Sequence, residues 1–225
     1  MPTCKVGGCD NAADWYWPAW AREEPWPRFW VRDTESSHGR YAEAAKCLTL
    51  KDLVKFHGHA CDGLFRGAVA LARAFEALFG DTPIDRTDLR VLSRNSPCLG
   101  DVAAYLTGGR IRFGTQDVRD DPGVWFVVNR LSDGRTVRVA ERAHFYPDAL
   151  AAEEARLVAQ GTAEPAALDA LRAAQWAWVR DVLTRADWTA MYPVEPLAGF
   201  AWEPVPYARI GIRTDIVFKL TPQTD

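Results

Sequence analysis

Cysteine is scarce in these 225 residues, with five in an odd set that cannot pair off completely, and so is excess charge of either sign: 27 Lys+Arg face 30 Asp+Glu, a net charge of -3 at pH 7. The first scarcity argues against a disulfide scaffold. The second leaves no basic footprint for a nucleic-acid backbone, and no local run of lysine and arginine supplies one, so nucleic acid is not expected as a partner. Also missing is any stretch near the roughly 18 to 20 apolar residues that span a bilayer, and polar Cys4-Lys5 and Asp10 stand where a secretory apolar core would lie. No membrane association is expected, and the chain is placed in the cytoplasm, where reduced cysteines serve as ligands or reactive groups. There is no internal repeat and no low-complexity tract. A hydrophobic content of 48% and a charged content of 25% are those of an ordinary globular chain, long enough for one well-buried core with an appended layer.

What is present is concentrated. Phe56-His57-Gly58-His59-Ala60-Cys61-Asp62-Gly63 holds two of the four histidines and one of the five cysteines. Imidazole and thiolate suit a borderline-soft divalent metal, and a thiolate beside histidine is also how a cysteine nucleophile is activated. If residues 57–61 are helical, His57 and Cys61 share a face and His59 points away. If Gly58 breaks the helix, all three side chains converge. The alternative is a helix entry whose histidines cap backbone groups and whose cysteine is buried as a small hydrophobe.

The first 48 residues place Trp15, Trp17, Trp20, Trp26 and Trp30 among prolines, which predicts an irregular segment wrapping a core or a partner protomer. Cys4 and Cys9 there offer half of a zinc site without a second pair, and His38 reads as a solvated loop residue. Thr49 with Asp52 forms a capping box for a short helix. Leu64, Ala68, Leu71, Phe75 and Leu78 then mark one face of a helix from Gly63 to Gly80, in which Gly63 and Gly67 permit close packing.

Leu89 to Ser93 alternates as a strand and runs into Arg94–Asp101, which opens a second helix. Cys98 thus stands near a helix N-terminus, whose partial positive charge favours a thiolate. Strands are predicted at 110–113, 123–128 and 136–140, the last two joined by a turn at Ser132-Asp133-Gly134. His144 is a possible extra ligand or a structural histidine. Residues 148–225 read as a helical arm, with helices from Asp148 to Ala159 and from Pro165, and final strands at 208–213 and 216–218.

A histidine-glycine-histidine-x-cysteine stretch at the first helix, Gly63 and Gly67 after it, Cys98 with Asp101 beyond the first strand, and Tyr105-Leu106-Thr107-Gly108 leading to Phe113-Gly114 resemble the FmdE family of formylmethanofuran dehydrogenase subunits over Leu50 to Pro147. The resemblance implies an α+β fold with a helix-strand-helix-three-strand core at 49–147 and a mixed or antiparallel-rich sheet. It also implies a homodimer and a metal site at a dimer interface. Cys61 and Cys98 become co-ligands, with His57 or His59 completing the set. Where the family usually carries proline after the motif cysteine, this chain has Asp62, an additional ligand or proton acceptor.

The expected function is metal binding through His57, His59, Cys61 and Cys98. Zinc is favoured over nickel or iron, and the site would act on a small oxygenated substrate with Asp62 or Asp101 handling protons. Two other readings stand beside it. One is noncovalent haem or redox-metal binding, since no Cys-x-x-Cys-His motif for covalent haem occurs. The other is a metal-free scaffold that binds a partner through its aromatic segments.

Overall fold

Thr49 and Asp52 start the chain's central run of structure. In the computed structural model, which describes residues 15–36, 40–161 and 164–202, the Asp52 N–H donates to the Thr49 hydroxyl at 3.3 Å and the Thr49 N–H to the Asp52 carboxylate at 3.0 Å. This reciprocal cap opens helix α1 (Leu50–His57), which buries Leu50, Leu53, Val54 and His57 on one face. Gly58, at φ 100°, ends it in the left-handed conformation that a side chain would oppose.

Helix α2 (Asp62–Phe79) follows after a short turn and stops at Gly80. Its apolar face is wider than the predicted stripe. Phe65, Val69 and Ala70 are as buried as Leu64, Ala68 and Leu71, because the helix is covered from several sides. Trp17 stacks on Phe65 with ring centroids 5.7 Å apart, and Trp20, Trp26 and Trp176 close round the same ring. Trp17, Trp20 and Trp26 are therefore packing anchors on α2.

Two sheets accompany the helices. The smaller joins β1 (Phe29–Arg32), β2 (Lys46–Leu48) and β3 (Ile84–Asp85) in the order β2-β1-β3, with β1 antiparallel to β2 and parallel to β3. The larger contains β4 (Leu89–Arg94), β5 (Gln116–Arg119), β6 (Phe126–Arg130), β7 (Thr136–Val139) and β8 (Val194–Pro196), ordered β5-β4-β6-β7-β8. Only the β4–β5 pair in it is parallel, and helix α3 (Pro97–Thr107) makes the crossover between them. Beyond β7 come α4 (Asp148–Gln160), α5 (Pro165–Asp181) and α6 (Trp188–Met191), with α5 and α6 against α2. The fold is α+β, as expected. Among the described residues, no helix is long and apolar enough to cross a membrane.

Local pattern misled at three places. The strand expected at 110–113 is a 3₁₀ turn, Ile111–Phe113, closed by Gly114 at φ 66°, and Phe113 is 75% exposed. The true strand, β5, lies just after it and buries Gln116 and Asp117, polar residues that no hydrophobic alternation marks. The N-terminal segment is not wholly irregular, since β1 and β2 form after its last proline, Pro27. Cys4, Cys9, His38 and the strands expected at 208–213 and 216–218 lie outside the described residues.

The α2–α3 crossing positions the functional region. A Cβ on Gly67 would meet Leu99 Cδ2 at 2.9 Å and Val102 Cγ2 at 3.3 Å, and one on Gly63 would meet Cys98 Sγ at 3.1 Å. Overpacking of this kind costs about 1 to 3 kcal/mol, and in a site closed on two sides by buried Leu99 and Val102 it outweighs the roughly 1 kcal/mol that alanine gains over glycine in a helix. Gly67→Ala is therefore expected to lower the thermal midpoint by several degrees in a calorimetric scan; an unchanged or higher midpoint would contradict the close approach.

Candidate metal centre

Three short segments bring the candidate residues together. His57 is the last residue of α1, Cys61 is the N-cap of α2 in extended conformation, and Cys98 lies in the first turn of α3. Because Gly58 breaks the helix, His57, His59 and Cys61 converge, and their donor atoms all lie within 4.8 Å of one another. Cys98 arrives from the neighbouring helix: its Sγ is 3.3 Å from Cys61 Sγ and 3.9 Å from His57 Nε2, which is itself 3.8 Å from Cys61 Sγ. The two cysteines are free thiols, not a disulfide. These residues could hold a metal ion.

The donor set can be tested against a metal's needs. A circle through His57 Nε2, Cys61 Sγ and Cys98 Sγ has a radius of about 2.1 Å. Zinc makes bonds of roughly 2.0 to 2.1 Å to nitrogen and 2.3 Å to sulfur, so the three donors fit such an ion.

The outer groups are equally defined. His57 Nδ1 donates to Asp101 Oδ2 at 2.7 Å, which turns Nε2 toward the thiols. His59 is exposed at the rim, its ring 4.5 Å from that of His57. Asp62 is buried, and its carboxylate is engaged by Arg66 at 3.0 Å rather than turned to the thiols. Neither carboxylate expected to handle protons is thus without a partner. His144 is remote from the cluster; it is exposed at φ 61° and pairs with Asp148. Cys47 lies in the small sheet, opposite Trp30.

Without metal, the cluster holds a charge pair. Burial acts against an imidazolium at His57, but the hydrogen bonds to Asp101 and Cys98 and their charges outweigh it and hold its pKa up at about 9. The hydrogen bond from Cys61 brings the Cys98 thiol down to about 6 against burial, helped by His57; the same shared bond, with burial, pushes Cys61 well above the ordinary value. The charge belongs on Cys98, which also has the helix N-terminus behind it. Only the thiolate reacts with an alkylating agent. In metal-free protein the iodoacetamide rate at Cys98 should rise with pH through about 6 and then level, and quantitative mass spectrometry of the labelled peptides follows it. A rise only near 9, the ordinary value, would contradict the pair.

A cavity of about 670 Å³ opens beside these donors, with His57, Cys61 and Cys98 on one wall and Leu157, Leu168 and Leu171 of α4 and α5 on another. This lies in the range of small-molecule sites.

A family model described as FmdE, Molybdenum formylmethanofuran dehydrogenase operon, matches residues 56–189, more than half of the 225-residue chain. The chain belongs to the FmdE family. That match reaches past Pro147, where the resemblance in the sequence had stopped, and takes in α4 and α5. The helices that line the cavity opposite the thiols thus fall within the FmdE match. No curated protein matches the chain.

Sequence reasoning named the four ligand candidates but missed Arg66, Arg94, Trp125 and Glu154, which also line the cavity. Arg66 lies one turn after Asp62, the only local signal. Its guanidinium donates to Glu141 at 2.9 and 2.5 Å, and lies 3.8 Å from the Tyr146 ring centroid. Tyr192 donates to the same carboxylate at 2.8 Å.

Proposed function

We propose that the chain holds a divalent transition metal, zinc in preference to nickel or iron, between His57 Nε2, Cys61 Sγ and Cys98 Sγ, and acts on a small oxygenated substrate in the adjoining cavity. The observation that carries this is the convergence of three soft donors within 3.9 Å of one another at the wall of a 670 Å³ cavity. Three protein ligands beside open space are the pattern of a catalytic rather than a closed structural site. His59 at the rim is the candidate for a fourth, replaceable ligand. Convergence on one point suits an ion better than haem, which takes axial ligands above or below a broad ring. The homodimer implied by the family resemblance belongs to the same proposal.

The metal would supply Lewis acidity toward a substrate oxygen. The chain's residues do the rest. Asp101 keeps the proton of His57 on Nδ1, so that Nε2 presents a lone pair to the metal position. Asp62 holds Arg66 against its aromatic neighbours at the cavity wall. Both are positioning residues in this reading. The leucines of α4 and α5 give the cavity an apolar wall.

Loss of a carboxylate behind a ligating histidine typically costs roughly 10- to 100-fold in metal affinity. Asp101→Asn is expected to weaken zinc binding by that factor in competition with a chromophoric chelator, while leaving the circular dichroism spectrum unchanged. Equal affinity in wild type and variant would remove His57 from the ligand set.

A further inference from the structure

The cavity wall carries one cation that the fold does not neutralise. Arg66 is matched twice over, by Asp62 and Glu141. Arg94 is different. It ends β4, three residues before α3 opens at Pro97, and lines the same cavity from an exposed position at its mouth. Among the described residues it has no ion pair or side-chain hydrogen bond; its guanidinium lies over Trp125, with 5.7 Å to the ring centroid. Partial burial and then the repulsive Arg66 disfavour its charge, against the attraction of Glu141 and Asp121. An arginine stays protonated even so. Glu154, the other unpaired charge on the wall, lies toward Asp62, Arg66 and Cys98 and is not among the charges acting on Arg94.

A guanidinium held over an aromatic face, without a carboxylate of its own, is arranged to receive one. A single free arginine suits a carboxylate; a phosphate dianion commonly draws more than one cation, and Arg66 is already committed. Leu157, Leu168 and Leu171 give the same cavity an apolar wall.

We propose that the cavity binds a small organic acid whose carboxylate docks on Arg94, whose short apolar stem lies against the leucines, and whose far end carries the oxygen presented to His57, Cys61 and Cys98. This rests on the metal reading above and adds the substrate class. Arg94 is the specificity-determining residue.

The test uses matched metal-binding probes on zinc-loaded, full-length protein: succinate monohydroxamate against butyrohydroxamate, and adipate monohydroxamate against hexanohydroxamate. Isothermal titration is run on wild type, Arg94→Gln and Arg94→Lys. In wild type the acid of at least one pair is expected to bind ten times or more tighter than its neutral partner. Arg94→Gln should abolish that preference and leave the neutral probe unchanged, and Arg94→Lys should keep part of it. Neutral probes that bind while neither acid is preferred, or a preference that survives Arg94→Gln, overturn the proposal and leave the metal reading standing. No binding by any probe to protein that retains no zinc overturns both. No binding to zinc-loaded protein overturns the open coordination position and, with it, the substrate class.

Discussion

Serine in place of Cys61 or Cys98 is expected to weaken zinc binding by more than the roughly 10- to 100-fold that loss of an outer partner costs. The reason is geometric. Each thiolate supplies one corner of a donor triangle with sides of 3.3, 3.8 and 3.9 Å, and a hydroxyl is a harder and far less acidic donor. The double variant should hold no stoichiometric metal after dialysis. Cys47→Ser is the matched control, since its thiol lies in the small sheet and bonds to the Leu48 carbonyl, at 3.9 Å. Loss of metal in that control as well would indicate collapse of the fold instead of removal of a ligand. Competition titration with a chromophoric chelator measures all four proteins.

The second large effect concerns stability. Arg66 is held by two buried carboxylates, Asp62 and Glu141, and by the rings of Tyr146, Trp125 and Trp178, at centroid distances of 3.8, 5.2 and 5.8 Å. Burial alone would disfavour the cation, but Glu141 and Asp62 hold its pKa above the usual arginine value. Arg66→Leu leaves two carboxylates without a cation in a poorly hydrated place. Breaking one side of such a network costs about 3 to 5 kcal/mol, which for a chain of this size lowers the thermal midpoint by roughly 6 to 20 °C. Adding Glu141→Gln to Arg66→Leu should recover part of the loss, because one stranded charge is removed. A double variant as unstable as the single would show that the cost lies in lost packing on the rings.

The parts of this molecule that could be read from its sequence are those fixed by near neighbours. Thr49 and Asp52 set the start of α1, and the leucine and phenylalanine spacing the length of α2. The histidine-cysteine stretch and Cys98 were legible as donor chemistry. Their convergence was not, because it depends on whether Gly58 breaks a helix and on two glycines, Gly63 and Gly67, that admit α3.

Strand β5 escaped because it buries Gln116 and Asp117, so the usual link between burial and apolar residues fails there. Gln116 recovers a partner by donating to the Gly100 carbonyl at 3.0 Å. The Arg66–Glu141 pair joins positions 75 residues apart in sequence, and no local pattern encodes such a pair. The far wall of the cavity had the same difficulty. The helices that carry Leu157, Leu168 and Leu171 read as an appended arm, and only tertiary packing brings these leucines to the cavity that the thiols line.

The most direct test of a metal held by His57, Cys61 and Cys98 is elemental analysis, with a visible spectrum, of wild-type protein purified without chelator and loaded anaerobically. Near one zinc or other transition-metal ion per chain is expected, with cobalt substitution producing thiolate-to-metal absorption in the near ultraviolet. Protein that retains no metal after loading, or a cobalt form without thiolate absorption, would contradict the metal centre.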